Sequence, residues 1–285
     1  MDELKEQRGG EPVVARSNFP TAWDLLLMLG VYFTILIAVM VVSTLGLLIL
    51  GYGIQDLPAT AMGYYLAVTS LLSLSLTAGF YQWYRRRRSA VSLRIPFTWR
   101  KINLPLMGWA FVVMLTSGIV LEPLFELFPP LDQQVGSGPG TFLALVVVAP
   151  LGEEYICRGV LFGSLRQRYG TTLAVVLSAL FFGILHVHPV AVINATMMGL
   201  VLAFVYAISR TLWAHILLHA ANNLTDYLFL LYGYDQVGFS DLLAGHPWLY
   251  AVAYAVALGV TVCSIGWLWC KARRTASGEK KTVVE

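Results

Sequence analysis

The feature that most constrains this chain is the recurrence of long apolar stretches. Runs of about 20 residues with almost no charge follow one another from about Leu25 to Cys270, and roughly 20 helical residues are what crosses about 30 Å of hydrocarbon. Composition agrees: 58% of the 285 residues are hydrophobic and only 12% charged, too little polar surface to cover a soluble globule of that size. The expected fold class is all-α, a polytopic membrane protein with about eight transmembrane helices. The apolar pattern puts them near 24–50, 60–84, 104–125, 141–168, 171–188, 190–208, 211–231 and 247–270. Residues 1–23 are read as an N-terminal tail, 24–270 as one integral membrane domain and 271–285 as a C-terminal tail. The first apolar stretch is much longer than the core of a secretory signal and is expected to stay in place.

Breaks between the stretches are explicit. Gly51 to Pro58, Pro129-Pro130 with the Gly136-Ser137-Gly138-Pro139-Gly140 run, and His188-Pro189 all interrupt helical periodicity. Charge tests the partition independently, because short cytoplasmic loops keep Lys and Arg. All 19 lysines and arginines fall in the N-tail, in the second, fourth and sixth connections, or in the C-tail. The odd connections carry only acids, among them Asp56, Glu122, Asp132, Asp235 and Asp241. Both termini are therefore expected in the cytoplasm, the site opening toward it, and the cell membrane is the expected location. The Arg85 to Arg88 run reads most simply as a topology anchor beside anionic headgroups. Cys157, Cys263 and Cys270 show no spacing that suggests a disulfide framework or zinc site.

Ionisable groups inside membrane helices cost about 2.5–3.5 kcal/mol each on insertion scales, so they need a partner or a purpose. Here they cluster. Glu154 and Arg158 stand four apart in the order that favours an ion pair. Glu153 points about 100° away with no partner in its own segment, which suits a general base. His186 lies about 16 residues beyond the Tyr169-Gly170 turn, as Glu153 lies about 16 before it, so a regular hairpin would set them at similar depth. A carboxylate and an imidazole side by side can hold and deprotonate water. His219 and Asn223, four apart on the seventh helix, both offer hydrogen-bond donors suited to an oxyanion. His188 reads as a loop residue, His215 as interfacial or supporting, and Asp226 has no assigned role.

Glu-Glu-x-x-x-Arg at 153–158, Phe-x-x-x-His at 182–186 and His-x-x-x-Asn at 219–223, in successive apolar segments, resemble the CPBP family, also called the ABI or CAAX-processing endopeptidase family. The resemblance covers about residues 141–231. It implies an eight-helix fold and an intramembrane endopeptidase acting on membrane-associated proteins or peptides, including prenylated, CAAX-type ones. It implies Glu153 as catalytic glutamate, His186 as its water-activating partner, Glu154 and Arg158 in support, and His219 with Asn223 as oxyanion stabilisers. No cofactor is expected. The alternative is zinc on Glu153, His186 and His219, a three-ligand set with an open fourth position, although the His-Glu-x-x-His spacing is missing. Two other classes stay open: a non-catalytic scaffold or immunity-type protein, and a proton-coupled transporter, against which stands the lack of an inverted repeat. No nucleic acid is expected as a partner, and the substrate itself does not follow from the resemblance.

Overall fold

The structure, a computed structural model, describes residues 18–129, 136–234 and 237–282, the last five of these by backbone alone. Residues 1–17, most of the expected N-tail, and Pro130, Asp132 and Asp235 lie outside the described residues. Among the described residues there are helices and no strands. The long helices are α1 (Ala22–Ile49), α2 (Ala59–Arg88), α3 (Leu104–Phe125), α4 (Pro139–Tyr169), α5 (Thr171–Ile184), α6 (Pro189–Ser209), α7 (Leu212–Leu231) and α8 (Pro247–Thr282).

Six of these, α1, α2, α3, α4, α6 and α8, are long and apolar enough to cross a membrane. The chain is an integral, multi-pass membrane protein. The other two differ for distinct reasons. With 14 residues, α5 is about 21 Å long, too short to span the hydrocarbon. In contrast α7 has the length, but it carries His215, His219, Asn222, Asn223 and Asp226. Both serve as inner walls. Burial separates the layers: 44% of the apolar window of α4 and 56% of that of α6 are buried, against 11% for α1 and 22% for α8.

Local chemistry explains the boundaries. Thr21 and Asp24 form a reciprocal capping box at the start of α1, with hydrogen bonds of 3.1 and 2.7 Å. Asn103 caps α3 by accepting from the Leu106 N–H at 3.0 Å. Pro139, Pro189 and Pro247 each open a helix, where the missing N–H is harmless. Three expected boundaries move. The second helix continues through the arginine run to Arg88, and α8 runs on to Thr282, through most of the stretch expected as a tail. The fifth ends at Ile184, not 188, because a tight turn and Pro189 follow.

Glycines set two close approaches, as is common between membrane helices. A Cβ on Gly140 would collide with the backbone of Gly63 and Tyr64, and one on Gly183 or Gly199 would enter the α5–α6 contact. The Gly136–Gly140 run thus does more than interrupt the chain. It docks the start of α4 on α2, where the Ser137 N–H donates to the Ala59 carbonyl at 3.0 Å.

Contacts also gather the basic connections at one end of the bundle. Arg168 donates to the Asn18 carbonyl, Arg88 pairs with Asp24 at 3.2 Å, and Leu212 N–H donates to the Pro96 carbonyl at 2.9 Å. Arg85 is not a simple surface anchor. It is buried, with its Nε on Ser164 Oγ at 3.1 Å and a terminal nitrogen on the Val91 carbonyl at 2.7 Å. At the other end, Glu122 accepts from the Ser240 N–H and hydroxyl, both at 2.9 Å.

Candidate active site

The site is built around an irregular α4. Residues Leu143–Val148 and Tyr155–Phe162 wind as π-helix, and the six-residue α-helical stretch Ala149–Glu154 between them carries both glutamates. Such widened turns tend to occur at functional positions. Pro150 has a visible part in this. In the first π stretch the Ala149 N–H bonds the Ala144 carbonyl, five residues back. The next bond would join residue 150 to the Leu145 carbonyl, but proline has no N–H. Asn223 of α7 fills that place: its Nδ2 donates to the Leu145 carbonyl at 2.9 Å.

Glu154 sits at the centre, fully buried, as is Arg158. Arg158 NH1 donates to Glu154 Oε1 at 2.9 Å and NH2 to the Gly199 carbonyl of α6 at 2.8 Å. The absence of a side chain at Gly199 lets that carbonyl come close. The guanidinium also lies 4.6 Å above the Phe182 ring, a favourable cation–π arrangement. Glu154 Oε1 has a second partner, His219 Nδ1, at 3.0 Å. A carboxylate paired with arginine only accepts, so Nδ1 of His219 carries the proton and Nε2 is left for other chemistry.

Nε2 of His219 lies 3.9 Å from Oε2 of Glu153, whose side chain remains 15% exposed. That is too long for a direct hydrogen bond; the two groups border shared space. His186 is fixed by a different bond. Its Nδ1 lies 3.0 Å from the Phe182 carbonyl, and since a carbonyl cannot donate, Nδ1 again carries the proton and Nε2 is the basic nitrogen. The His186 and His219 rings both lean on the Phe182 ring, at 5.1 and 5.6 Å. Phe182, fully buried, is therefore the common wall for Arg158, His186 and His219. Its position in the Phe-x-x-x-His motif, one turn before His186, was the available sequence signal.

α5 stops at Ile184, and His186 sits in the following turn, with its N–H on the Gly183 carbonyl at 3.0 Å. The bonded carboxylate–imidazole contact is between Glu154 and His219, joining α4 to α7. Of the remaining polar residues, His188 precedes α6, and buried His215 packs edge-on to Tyr206 at 4.9 Å. Asp226 accepts from Asn222 at 3.3 Å and lines, with Asn194, Glu122 and Met114, a cavity of about 610 Å³ on the neighbouring face of α7. Among the described residues no three His, Cys, Asp or Glu side chains come together as a metal-holding group.

Fold and site define a class: a multi-pass membrane protein whose inner helices converge on a buried carboxylate–imidazole cluster. Residues 136–225, a segment that contains all three motifs, match the family model described as Type II CAAX prenyl endopeptidase Rce1-like. It is also 34% identical over 77 residues to a Bacillus subtilis (strain 168) protein named "Putative membrane peptidase YdiL", the match covering 27% of this chain and 32% of that one. The chain thus spans about a third of the length of the curated relative it matches. No solved structure matches it.

Proposed function

We propose that the chain is an intramembrane endopeptidase that hydrolyses a peptide bond in a membrane-associated protein or peptide, including lipidated ones, with Glu153 as general base. One observation carries this reading. Glu153 is the partly exposed carboxylate beside a Glu154–Arg158–His219 group whose charges are already bonded to one another. Glu153 takes one proton from water while Nε2 of His186 accepts a hydrogen bond from the O–H that remains, and the resulting hydroxide attacks the peptide carbon. The carbonyl electrons move to its oxygen, which is held by Nε2–H of His219, whose Nδ1–H is bonded to Glu154. Asn223 adds its second Nδ2–H, Leu145 taking only the first. The proton on Glu153 then passes to the amide nitrogen as the C–N bond breaks, giving a carboxylic acid and an amine.

The asymmetry of Lys and Arg supports a cytoplasmic position for the basic end and for both termini. Mass spectrometry of membrane-protein termini from cells with the wild-type chain and with Glu153→Gln tests the reading. New termini present only with the wild type are expected; identical termini in both would refute a protease. The mechanism needs no metal, so cleavage by the purified protein is expected to survive exhaustive chelation. Stoichiometric zinc with reversible loss of activity on chelation would replace Glu153 as base by a metal centre.

A further inference from the structure

The cavity of about 610 Å³ beside α7 lies between α3, α6, α7 and the α7–α8 connection, in the half of the bundle away from the basic connections. Its walls are mostly apolar, with Met114, Ile119 and Phe125 of α3 and Phe229 of α7 among them. One polar edge interrupts them: Asn194 of α6, Asn222 and Asp226 of α7, and Glu122 of α3. Among the described residues no Lys, Arg or His lines the cavity, so its charge is negative only. The side chain of Asp226 is exposed, and its described hydrogen bond is the long one of 3.3 Å from Asn222. A carboxylate at such depth calls for a cation or a purpose.

Continuity with the hydrolytic cluster is an independent observation. His219, Asn222, Asn223 and Asp226 fall within one arc of about 100° on α7, so the polar edge of the cavity prolongs that of the cluster. Asp226 stands two turns beyond His219, about 10 Å along the helix. An extended peptide covers about 3.3–3.6 Å per residue, which makes that distance about three residues of a bound chain.

We propose that this cavity is a subsite for a lysine or arginine side chain of the substrate, about three residues from the bond that is cut; the proposal rests on the peptidase reading above. Such a side chain matches both parts of the lining. Its methylene stem lies along the apolar walls, and its charged head donates to Asp226 and to the carboxamide oxygens beside it. An acyl chain would fill the same walls and leave the polar edge without a donor.

The probes are dye-labelled apolar peptides, alike except for a central lysine, norleucine or glutamate. They are offered to the full chain carrying Glu153→Gln in phosphatidylcholine nanodiscs, where binding is read without cleavage. The lysine peptide should bind at least about tenfold more tightly than the norleucine peptide, as a close charge pair shielded from water gives, and the glutamate peptide least tightly. Adding Asp226→Asn, which keeps the shape and an acceptor for Asn222, should bring the lysine peptide down to the norleucine level, with melting measured on the same sample to show that it folds. The lysine and norleucine comparison itself needs no second substitution. Equal binding of those two peptides, or a lysine preference that survives Asp226→Asn, would overturn the subsite and leave a cavity for lipid chains. The wild-type chain is then given the same peptides and the products mapped by mass spectrometry. A cut about two to four residues from the lysine is expected, and a cut elsewhere overturns the link to hydrolysis. A preference that depends on Asp226 with no peptide cleaved would refute the peptidase reading and leave a cation site. Cleavage of lysine and norleucine peptides with equal kcat/KM would refute the subsite and leave the peptidase reading.

Discussion

Glu154 occupies a face of α4 that is closed on every side, with its side chain fully buried and its Oε1 bonded to both Arg158 and His219. Glu153, one residue earlier, keeps 15% of its side chain exposed and meets His219 only across 3.9 Å. The same residue type thus fills two roles, and the difference lies in what each carboxylate is left to do. A carboxylate whose one oxygen is bonded to both an arginine and a histidine in a low-dielectric interior holds structure and orients those partners. A charge left with open acceptor capacity can take a proton. What separates the two carboxylates is exposure and pairing: Glu153 has access to the open space beside His219, while the ion-paired Glu154 fixes the wall behind it.

The strongest way to break this contrast is Glu153→Gln. The amide keeps the shape and cannot act as base, so cleavage should fall by about 10²–10⁴-fold, while stability stays within about 0.5 kcal/mol, as for substitutions that remove no buried bond. Turnover and thermal melting in detergent, measured on the same preparation, check both halves. A large loss of stability would show that Glu153 is structural as well, and the contrast would fail.

Arg158→Met should behave in the opposite way, destabilising by about 3–5 kcal/mol because it leaves Glu154 buried and uncompensated. Adding Glu154→Leu should recover part of that loss, which a double-mutant cycle on unfolding measures. Arg158→Lys should fail to substitute, since a single ammonium cannot reach Glu154, the Gly199 carbonyl and the Phe182 face with one geometry. If the single variants melt like wild type, the closed face contributes no structure.

Much of this contrast was legible in the sequence, and the limits are physical. The Glu154–Arg158 pair is local, fixed by i, i+4 spacing, and the structure contains it. The Glu154–His219 bond spans 65 residues, so no spacing rule reaches it, and His219 was expected to face an oxyanion or, in the alternative, to hold zinc. The helices were visible as apolar runs, but periodicity does not report that α5 is too short to cross or that α4 winds as π-helix on either side of the glutamates. Pro150, which has no N–H to give, is the one residue in the sequence that bears on the latter. Arg85, inside a charge run, looks like its neighbours until packing buries it.

Asn223 tests the same contrast at smaller amplitude, because it sits between the two roles. Asn223→Ala strips the Leu145 carbonyl of its donor, and an unsatisfied buried acceptor costs about 1–3 kcal/mol. Pro150→Ala restores a backbone N–H to the same place. In the double variant, stability should therefore return while cleavage stays low, since the oxyanion donor is still missing. Recovery of both, by melting and turnover, would make Asn223 a helix-mending residue and no more.

The smallest expected effect concerns the turn that presents His186. Val187 has φ at 63°, and the His188 N–H closes a three-residue ring onto the His186 carbonyl at 2.7 Å. This is the rare, strained form of γ-turn, and a β-branched residue there is a genuine outlier. The side chain is 68% exposed, so packing does not repay the strain, which is about 1–3 kcal/mol for such backbone. Val187→Gly should therefore raise stability by about 1 kcal/mol, less than the full strain because glycine also gains freedom in the unfolded chain. If the strain serves to hold His186 in place, kcat should fall several-fold with KM little changed. The hydrogen bond from Nδ1 of His186 to the Phe182 carbonyl is the second constraint on the ring, so the loss should stay well short of that in Glu153→Gln. Unchanged kcat in a stabilised Val187→Gly variant would separate the strained turn from the chemistry and leave the Phe182 contact alone responsible for orienting His186.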